Sequence, residues 1–305
     1  MTGTELHYFR YEFFALGSDC VFQLFAATDA LAHAASAEAT REVLRIETRY
    51  SRYHEDSELY RINAAAARGG VVDVDPETAA LIDYAYAGHR LSDGLFDISS
   101  GVLRKVWNFS SGQVPGDDAI AAILPLVGLD KVEWQPPRLT FNKAGMELDF
   151  GGIGKEYAAD RVAQICKEKG IGHGLIDLGG DIALVGPRPD GSPWRIGIRD
   201  PAEPARPIMA VNLRTGGLAT SGDYERCIEV DGHRYGHILN PLTGWPVRGL
   251  SSVSVFSEQC LTAGTLATIA MLKGRAGADW LQRRGVRHVV VDENDRVSGS
   301  EALIG

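Results

Sequence analysis

Residues 149–155 read DFGGIGK, between a stretch that favours a strand and one that favours a helix. A glycine-rich turn there leaves backbone N–H groups free at a helix N-terminus, a setting that suits a phosphate. It is not a GxxxxGK[ST] loop. The earlier glycine is missing, and Glu156 stands where Ser or Thr would hold Mg²⁺. It is not GxGxxG either, and alone it reads equally as a tight strand-to-helix turn. A second cluster, LGGD over 178–181, lies between two strand-like stretches and reads as a hairpin turn. A third, ATSGDY over 219–224, holds Ser221 without a GxSxG elbow, which argues against a serine hydrolase. His237 precedes an Asn-Pro turn and suits either a base or a structural hydrogen-bonder. Thr268 has Gly264 one helical turn before it on the same face. Glycine inside a helix costs about 1 kcal/mol against alanine. Its presence asks for close packing, a ligand, or loss of a former side chain.

The elements that must position these residues follow from patterning. Residues 8–25 carry strand-like apolar density broken at Gly17 and Ser18, giving two strands or one bent strand. Residues 30–50 are alanine-rich, without Gly or Pro, and predict a helix. Asp75 caps a further helix that starts at Pro76 and runs to about His89. Residues 108–118 form a loop, and short strands follow within 132–148, around Pro136-Pro137 and Asn142-Lys143. Residues 155–169 predict a helix with Tyr157, Ala158, Val162, Ile165 and Cys166 on its apolar face, ended by Gly170. Short strands are expected over 174–177, 182–185, 194–198, 208–213, 227–230, 236–239 and 251–256. A helix over 262–273 follows, then another helix and a strand over 286–291. Strands and helices come in blocks, which favours an α+β fold over a doubly wound sheet. With no repeat or clear linker, residues 1–305 read as a single domain, in two lobes.

Composition excludes several classes. The 305-residue chain has 40 acidic and 31 basic residues, a net charge of −9, which argues against coating nucleic acid or an anionic membrane. No apolar run is long enough to span a bilayer. The N-terminal twenty residues lack a basic start followed by an apolar stretch, so a cytoplasmic protein without membrane anchor is expected. Cys20, Cys166, Cys227 and Cys260 are far apart with no CxxC pair. That argues against a zinc site or disulfide scaffold, and for reduced, mostly buried thiols. The 35 glycines, spread through well-patterned sequence, imply many tight turns or close backbone approaches.

Six fragments, in order, resemble one family. SRYHEDSEL (51–59) is similar to S-x-Y-x-x-x-S-E-[LI], GLFD (94–97) to G-x-F-D, and DFGGIGKEYAAD (149–160) to D-x-G-x-x-x-K-G-Y-x-x-D. LGGD (178–181), ATSGDY (219–224) and the segment 237–246 resemble L-G-G-[ND], A-T-S-G-[DN]-Y and H-I-[LI]-[DN]-P-x-T-G-x-P. The chain thus resembles the ApbE-type flavin transferases, the FAD:protein FMN transferases. The resemblance implies a T-fold-related ApbE-like fold with mixed sheets, packed helices and two lobes around a nucleotide cleft. It implies binding of FAD and Mg²⁺, cleavage of the pyrophosphate, and attachment of FMN by a phosphoester to a Ser or Thr of an acceptor protein, with release of AMP. Carried over by position, Leu16, Tyr53, Leu95, Phe96, Asp97, Asp149, Lys155, Ser221 and His237 would contact FAD. The main chain at Gly152 and the side chain of Thr268 would hold Mg²⁺. His237, with Asp149, would be catalytic, His237 activating the acceptor hydroxyl. Leu16 replaces the usual Met of M-G-T. Glu156 replaces the common Gly after the Lys, read as a minor change. Gly264 replaces the metal-binding Asp of A-D-A-L-A-T. That last departure leaves two readings open: a working transferase with a weaker metal site, or an FAD-binding protein with little or no transfer.

Overall fold

The computed structural model describes residues 5–203, 205–224, 226–230 and 232–300. Residues 1–4, part of the stretch read against a leader, and residues 301–305 lie outside the described residues. The chain opens with β1 (His7–Ala15) and β2 (Ser18–Ala26), paired antiparallel through a two-residue turn. Leu16 and Gly17 of that turn both have positive φ, 54° and 69°, which matches the right-handed twist of the flanking strands. Thr28 caps α1 (Asp29–Arg49), and Ser57 caps α2 (Glu58–Arg68). Helix α2 was not expected from the sequence. Its start hides in the polar SRYHEDSEL run, and its capping serine is the one local signal. After β3 (Val71–Asp73), Asp75 caps α3 (Pro76–Leu91) as predicted. Then come a 3₁₀ segment (Ile98–Lys105), α4 (Asp117–Ile123), β4 (Val132–Gln135) and β5 (Arg138–Phe141).

The second half supplies α5 (Gly154–Glu168), β6 (His173–Leu178), β7 (Asp181–Gly186), β8 (Trp194–Arg199), β9 (Pro207–Leu213), β10 (Gly217–Gly222), β11 (Cys227–Val230) and β12 (His233–Gly236). It ends with β13 (Leu250–Ser257), α6 (Cys260–Leu272), α7 (Gly277–Gln282), β14 (Arg287–Asp292) and β15 (Val297–Gly299). The strand expected over 236–239 ends at Gly236 instead. Residues 237–239 hold only an isolated Leu239–Pro246 bridge, because the Asn240-Pro241 turn folds the chain back at once.

One eight-stranded sheet organises the molecule, in the order β1-β2-β6-β7-β10-β13-β14-β15, with every pairing antiparallel. Side-chain alternation along each strand covers both faces. Ile176, Leu178, Ala183, Val185, Ala219, Val253 and Val255 face α1, α5 and α6. Leu175, Ile182, Leu184, Leu218, Phe256 and Val289 face the β8–β9 hairpin. A third cluster around Trp107, Ile120 and Leu239 supports the β11–β12 hairpin and the turn after it. Helices packed on an antiparallel sheet bear out the α+β expectation.

Candidate active site

Helices α5 and α6 are locked in register by Asp160. Its carboxylate accepts from the backbone N–H groups of Cys260 and Leu261 at 2.9 Å each, and so satisfies the first turn of α6. The two helices run antiparallel there. One turn back along α5 is Glu156, and one turn forward along α6 is Gly264. They meet: a Cβ at position 264 would lie 2.3 Å from Glu156 Oε1 and 2.6 Å from its Cγ. Glu156 is 7 % exposed, and its Oε2 has no hydrogen-bond partner. Burial pushes its carboxyl well above the usual carboxylate range. The sequence reading treated Glu156 as a minor change. In the structure Glu156 fills the space that a side chain at 264 would need.

Around this pair the sheet delivers oxygen atoms. Odd-numbered positions of β7 and β10 face the helices, so Asp181 and Ser221 point the same way as Ala183 and Ala219. Ser221 Oγ lies 2.8 Å from Thr268 Oγ1, one turn beyond Gly264. Asp181 is held by the Thr220 N–H. Burial, and then the Glu156 charge, push its carboxyl well above the ordinary range. Lys155 lies at the edge of the group. A Cβ at Gly179 would stand 3.2 Å from its Nζ and 2.5 Å from Ser18 Oγ, so Lys155, the 178–181 turn and the β1–β2 turn meet there. Among the described residues no set of three His, Cys, Asp or Glu side chains is arranged to hold a metal ion. The group here has two carboxylates and two hydroxyls.

A second group surrounds Asp149. Arg52 donates to Asp149 Oδ2 at 2.9 Å and also bonds Glu147, with all three side chains largely buried. Gly151 N–H donates to Asp149 Oδ1 at 2.7 Å. Gly101 approaches so closely that a Cβ there would lie 2.6 Å from that of Asp149. Gly152 is exposed, with the Phe96 ring behind it. Within the turn the Ile153 and Gly154 N–H groups donate to Phe150 O; helix α5 has no side-chain cap at its N-terminus, so it is the first helical turn that suits an anion.

Of the GLFD residues, Phe96 is 4 % exposed and Asp97 is buried. Asp97 accepts from Ser99 N, Ser99 Oγ and Leu129 N. Burial works against its charge, yet these bonds and His89 hold its carboxyl below the usual range. Both side chains therefore brace the segment from inside, while Leu95 is half-buried and nearer the surface. Tyr53 is 81 % exposed with the Arg52 guanidinium over its ring. Leu16 is half-buried, and its N–H donates to Glu47 at 2.7 Å. His237 follows β12 on a turn of its own. Trp107 Nε1 anchors that turn by donating to Gly244 O at 2.7 Å.

Sequence reasoning gives no role to Arg52, Asp160 or Asp181 and reads Glu156 as a minor change. Arg52 and Asp160 sit inside recognised motifs, but nothing local says what they bond. For Glu156 a signal existed: against the family pattern, an acid stands in place of glycine at 156 and glycine in place of an acid at 264.

The ApbE family matches residues 16–290. The "FAD:protein FMN transferase" of Treponema pallidum (strain Nichols) is 31 % identical, covering 95 % of this chain and 86 % of that protein. The protein of that name from Klebsiella pneumoniae (strain 342) is 30 % identical, covering 94 % and 90 %. The crystal structure of the ApbE protein from Thermotoga maritima superimposes with a TM-score of 0.89 at 33 % identity, covering 97 % of this chain and 98 % of that one. The apo flavinyl transferase ApbE of Pseudomonas stutzeri gives 0.87 at 28 % identity, covering 99 % and 97 %.

Proposed function

The chain belongs to the ApbE family, and from that premise we propose that it is an FAD:protein FMN transferase whose 305 residues work as one unit. The observation that carries the reading is the convergence of Lys155, Ser221, Thr268, the buried Glu156 carboxylate and the half-buried Asp181 carboxylate beside an α5 N-terminus that lacks a side-chain cap. A pyrophosphate needs donors on one side and a cation on the other. The uncapped first turn of α5 and Lys155 supply the first.

In the proposed reaction an acceptor Ser or Thr oxygen attacks the FMN-side phosphorus of FAD. The bond from that phosphorus to the bridging oxygen breaks, AMP leaves with the bridging oxygen, and the hydroxyl proton passes to His237 as general base. Asp149, held by Arg52 and the Gly151 N–H, orients the turn that faces the phosphates. Leu16, Tyr53 and Leu95 contact the nucleotide or flavin. Phe96 and Asp97 support Gly152 and the preceding helix from behind.

The residues present suit a hard divalent cation, because Glu156 Oε2 is a buried oxygen without a partner. Thr268 and the main chain at Gly152 would hold Mg²⁺, which when bound offsets charge developing on the pyrophosphate. The binding-only alternative rested on a missing carboxylate at 264; the carboxylate of Glu156 lies against that position and weakens it.

Mass spectrometry of the protein incubated with FAD, Mg²⁺ and a Ser/Thr-bearing acceptor tests the reading. Addition of one FMN to the acceptor with equimolar AMP is expected, and His237→Gln abolishes transfer while FAD still quenches. FAD binding without AMP release by the wild type refutes it.

A further inference from the structure

A buried carboxylate oxygen without a partner is costly unless something cationic completes it. Glu156 Oε2 is such an atom. Its neighbour on α6 carries no side chain. Position 264, in the interior of α6, is glycine, although glycine is a poor helix residue and any Cβ would strike Oε1, Cγ and Cδ of Glu156 within 2.8 Å. Asp160 fixes the helix register that brings the two positions together. The oxygens facing the same space are Asp181, Thr268 and Ser221, the last two 2.8 Å apart. Lys155 is the cation nearest in sequence, yet its Nζ lies by the Gly179 turn and Ser18, and it makes no hydrogen bond to Glu156 Oε2.

We propose that Glu156 supplies the anionic ligand of the divalent-cation site, reaching from α5 into the space where a carboxylate on α6 at position 264 would otherwise stand. Glu156 and Gly264 are thus one reciprocal exchange: the carboxylate has moved from one helix to the other while its oxygen serves the same place beside Thr268. The proposal rests on the transferase reading. A space-filling acid, protonated and inert, is the competing account, and it predicts no link between Glu156 and cation affinity.

Mn²⁺ serves as the probe. Its free concentration is followed by electron paramagnetic resonance, first with protein alone and then with saturating FAD. Glu156→Gln keeps the shape and removes the charge. It is expected to weaken Mn²⁺ binding at least tenfold with an unchanged circular dichroism spectrum. The exchange variant, Glu156→Gly with Gly264→Asp, is expected to return Mn²⁺ affinity to within threefold of wild type. Equal Mn²⁺ affinity of wild type and Glu156→Gln overturns the proposal. So does an exchange variant that folds but binds no Mn²⁺, or a wild type that binds none under either condition. Failure of the transferase reading looks different. Glu156-dependent Mn²⁺ binding without FMN transfer sinks that reading and leaves the ligand assignment standing. FMN transfer with Mn²⁺ binding indifferent to Glu156 does the reverse.

Discussion

Adding one methyl group at position 264 probes the packing on which the site depends. The new Cβ would sit 2.3, 2.6 and 2.8 Å from Oε1, Cγ and Cδ of Glu156, against about 3.5–4.0 Å for comfortable contact. Glu156 is 7 % exposed, so its side chain has little room to retreat. Overpacking of this kind costs about 1–3 kcal/mol. Replacing glycine by alanine inside a helix returns about 1 kcal/mol. Gly264→Ala should therefore destabilise the protein, by up to about 2 kcal/mol. With Glu156→Ala already made, the space is vacant and the helix gain alone remains. The same substitution then stabilises by about 1 kcal/mol. The sign reverses, and the coupling of about 1–3 kcal/mol exceeds the roughly 0.5 kcal/mol scatter of independent sites. At about 2.1 cal/mol/K per residue over 305 residues, each kcal/mol moves the melting temperature by about 1.5 °C. Urea denaturation and calorimetry of the four proteins complete the cycle. Stabilisation of the wild type by Gly264→Ala, or additivity within about 0.5 kcal/mol, would refute the reasoning.

Arg52→Ala leaves Glu147 and Asp149 without their bridging guanidinium. Loss of about 2 kcal/mol in urea denaturation, together with weaker FAD quenching, is expected; unchanged FAD affinity would detach Asp149 from the nucleotide. Asp97 has a folded-state pKa below its unfolded one, so its contribution is fully present above the ordinary value of about 3.9 and is lost as pH falls through the folded value. Asp97→Asn should cost about 1–3 kcal/mol at pH 7, and the gap to wild type should narrow in denaturation curves taken below about pH 4; a gap constant from pH 7 to pH 2 contradicts this. Leu16 sits at φ 54°, a left-handed conformation that costs a non-glycine residue about 1–2 kcal/mol. Leu16→Asn should raise stability by about 1 kcal/mol while weakening FAD binding, and a variant with lower stability would show that leucine packing outweighs backbone strain.

Much of the fold was legible because its determinants are local. The short strand-favouring runs of β7, β10 and β13, the Asp75-Pro76 start of α3 and the Gly170 stop of α5 are each written within a few residues. Helix α2 escaped because its capping serine is buried in a polar run, and the strand over 236–239 failed because the Asn-Pro turn outranks β propensity. The motifs located Lys155, Ser221, Thr268 and Asp149 by type and order. Sequence could say that glycine at 264 was anomalous, but not why.

The reason is long-range. Glu156 and Gly264 are separated by 108 positions in the numbering, and their contact exists only because Asp160 caps α6 and sets two antiparallel helices in register. Likewise Phe96 and Asp97, expected by resemblance to contact FAD, have side chains that packing turns inward. Local sequence sets which chemical groups the molecule carries and most of the elements that bear them, since capping, strand propensity and turn formation act over a few bonds. Long-range packing sets which groups share a space. It thereby turned an apparently lost carboxylate into one delivered from the neighbouring helix, because steric exclusion and burial act between surfaces that meet only when the chain has folded.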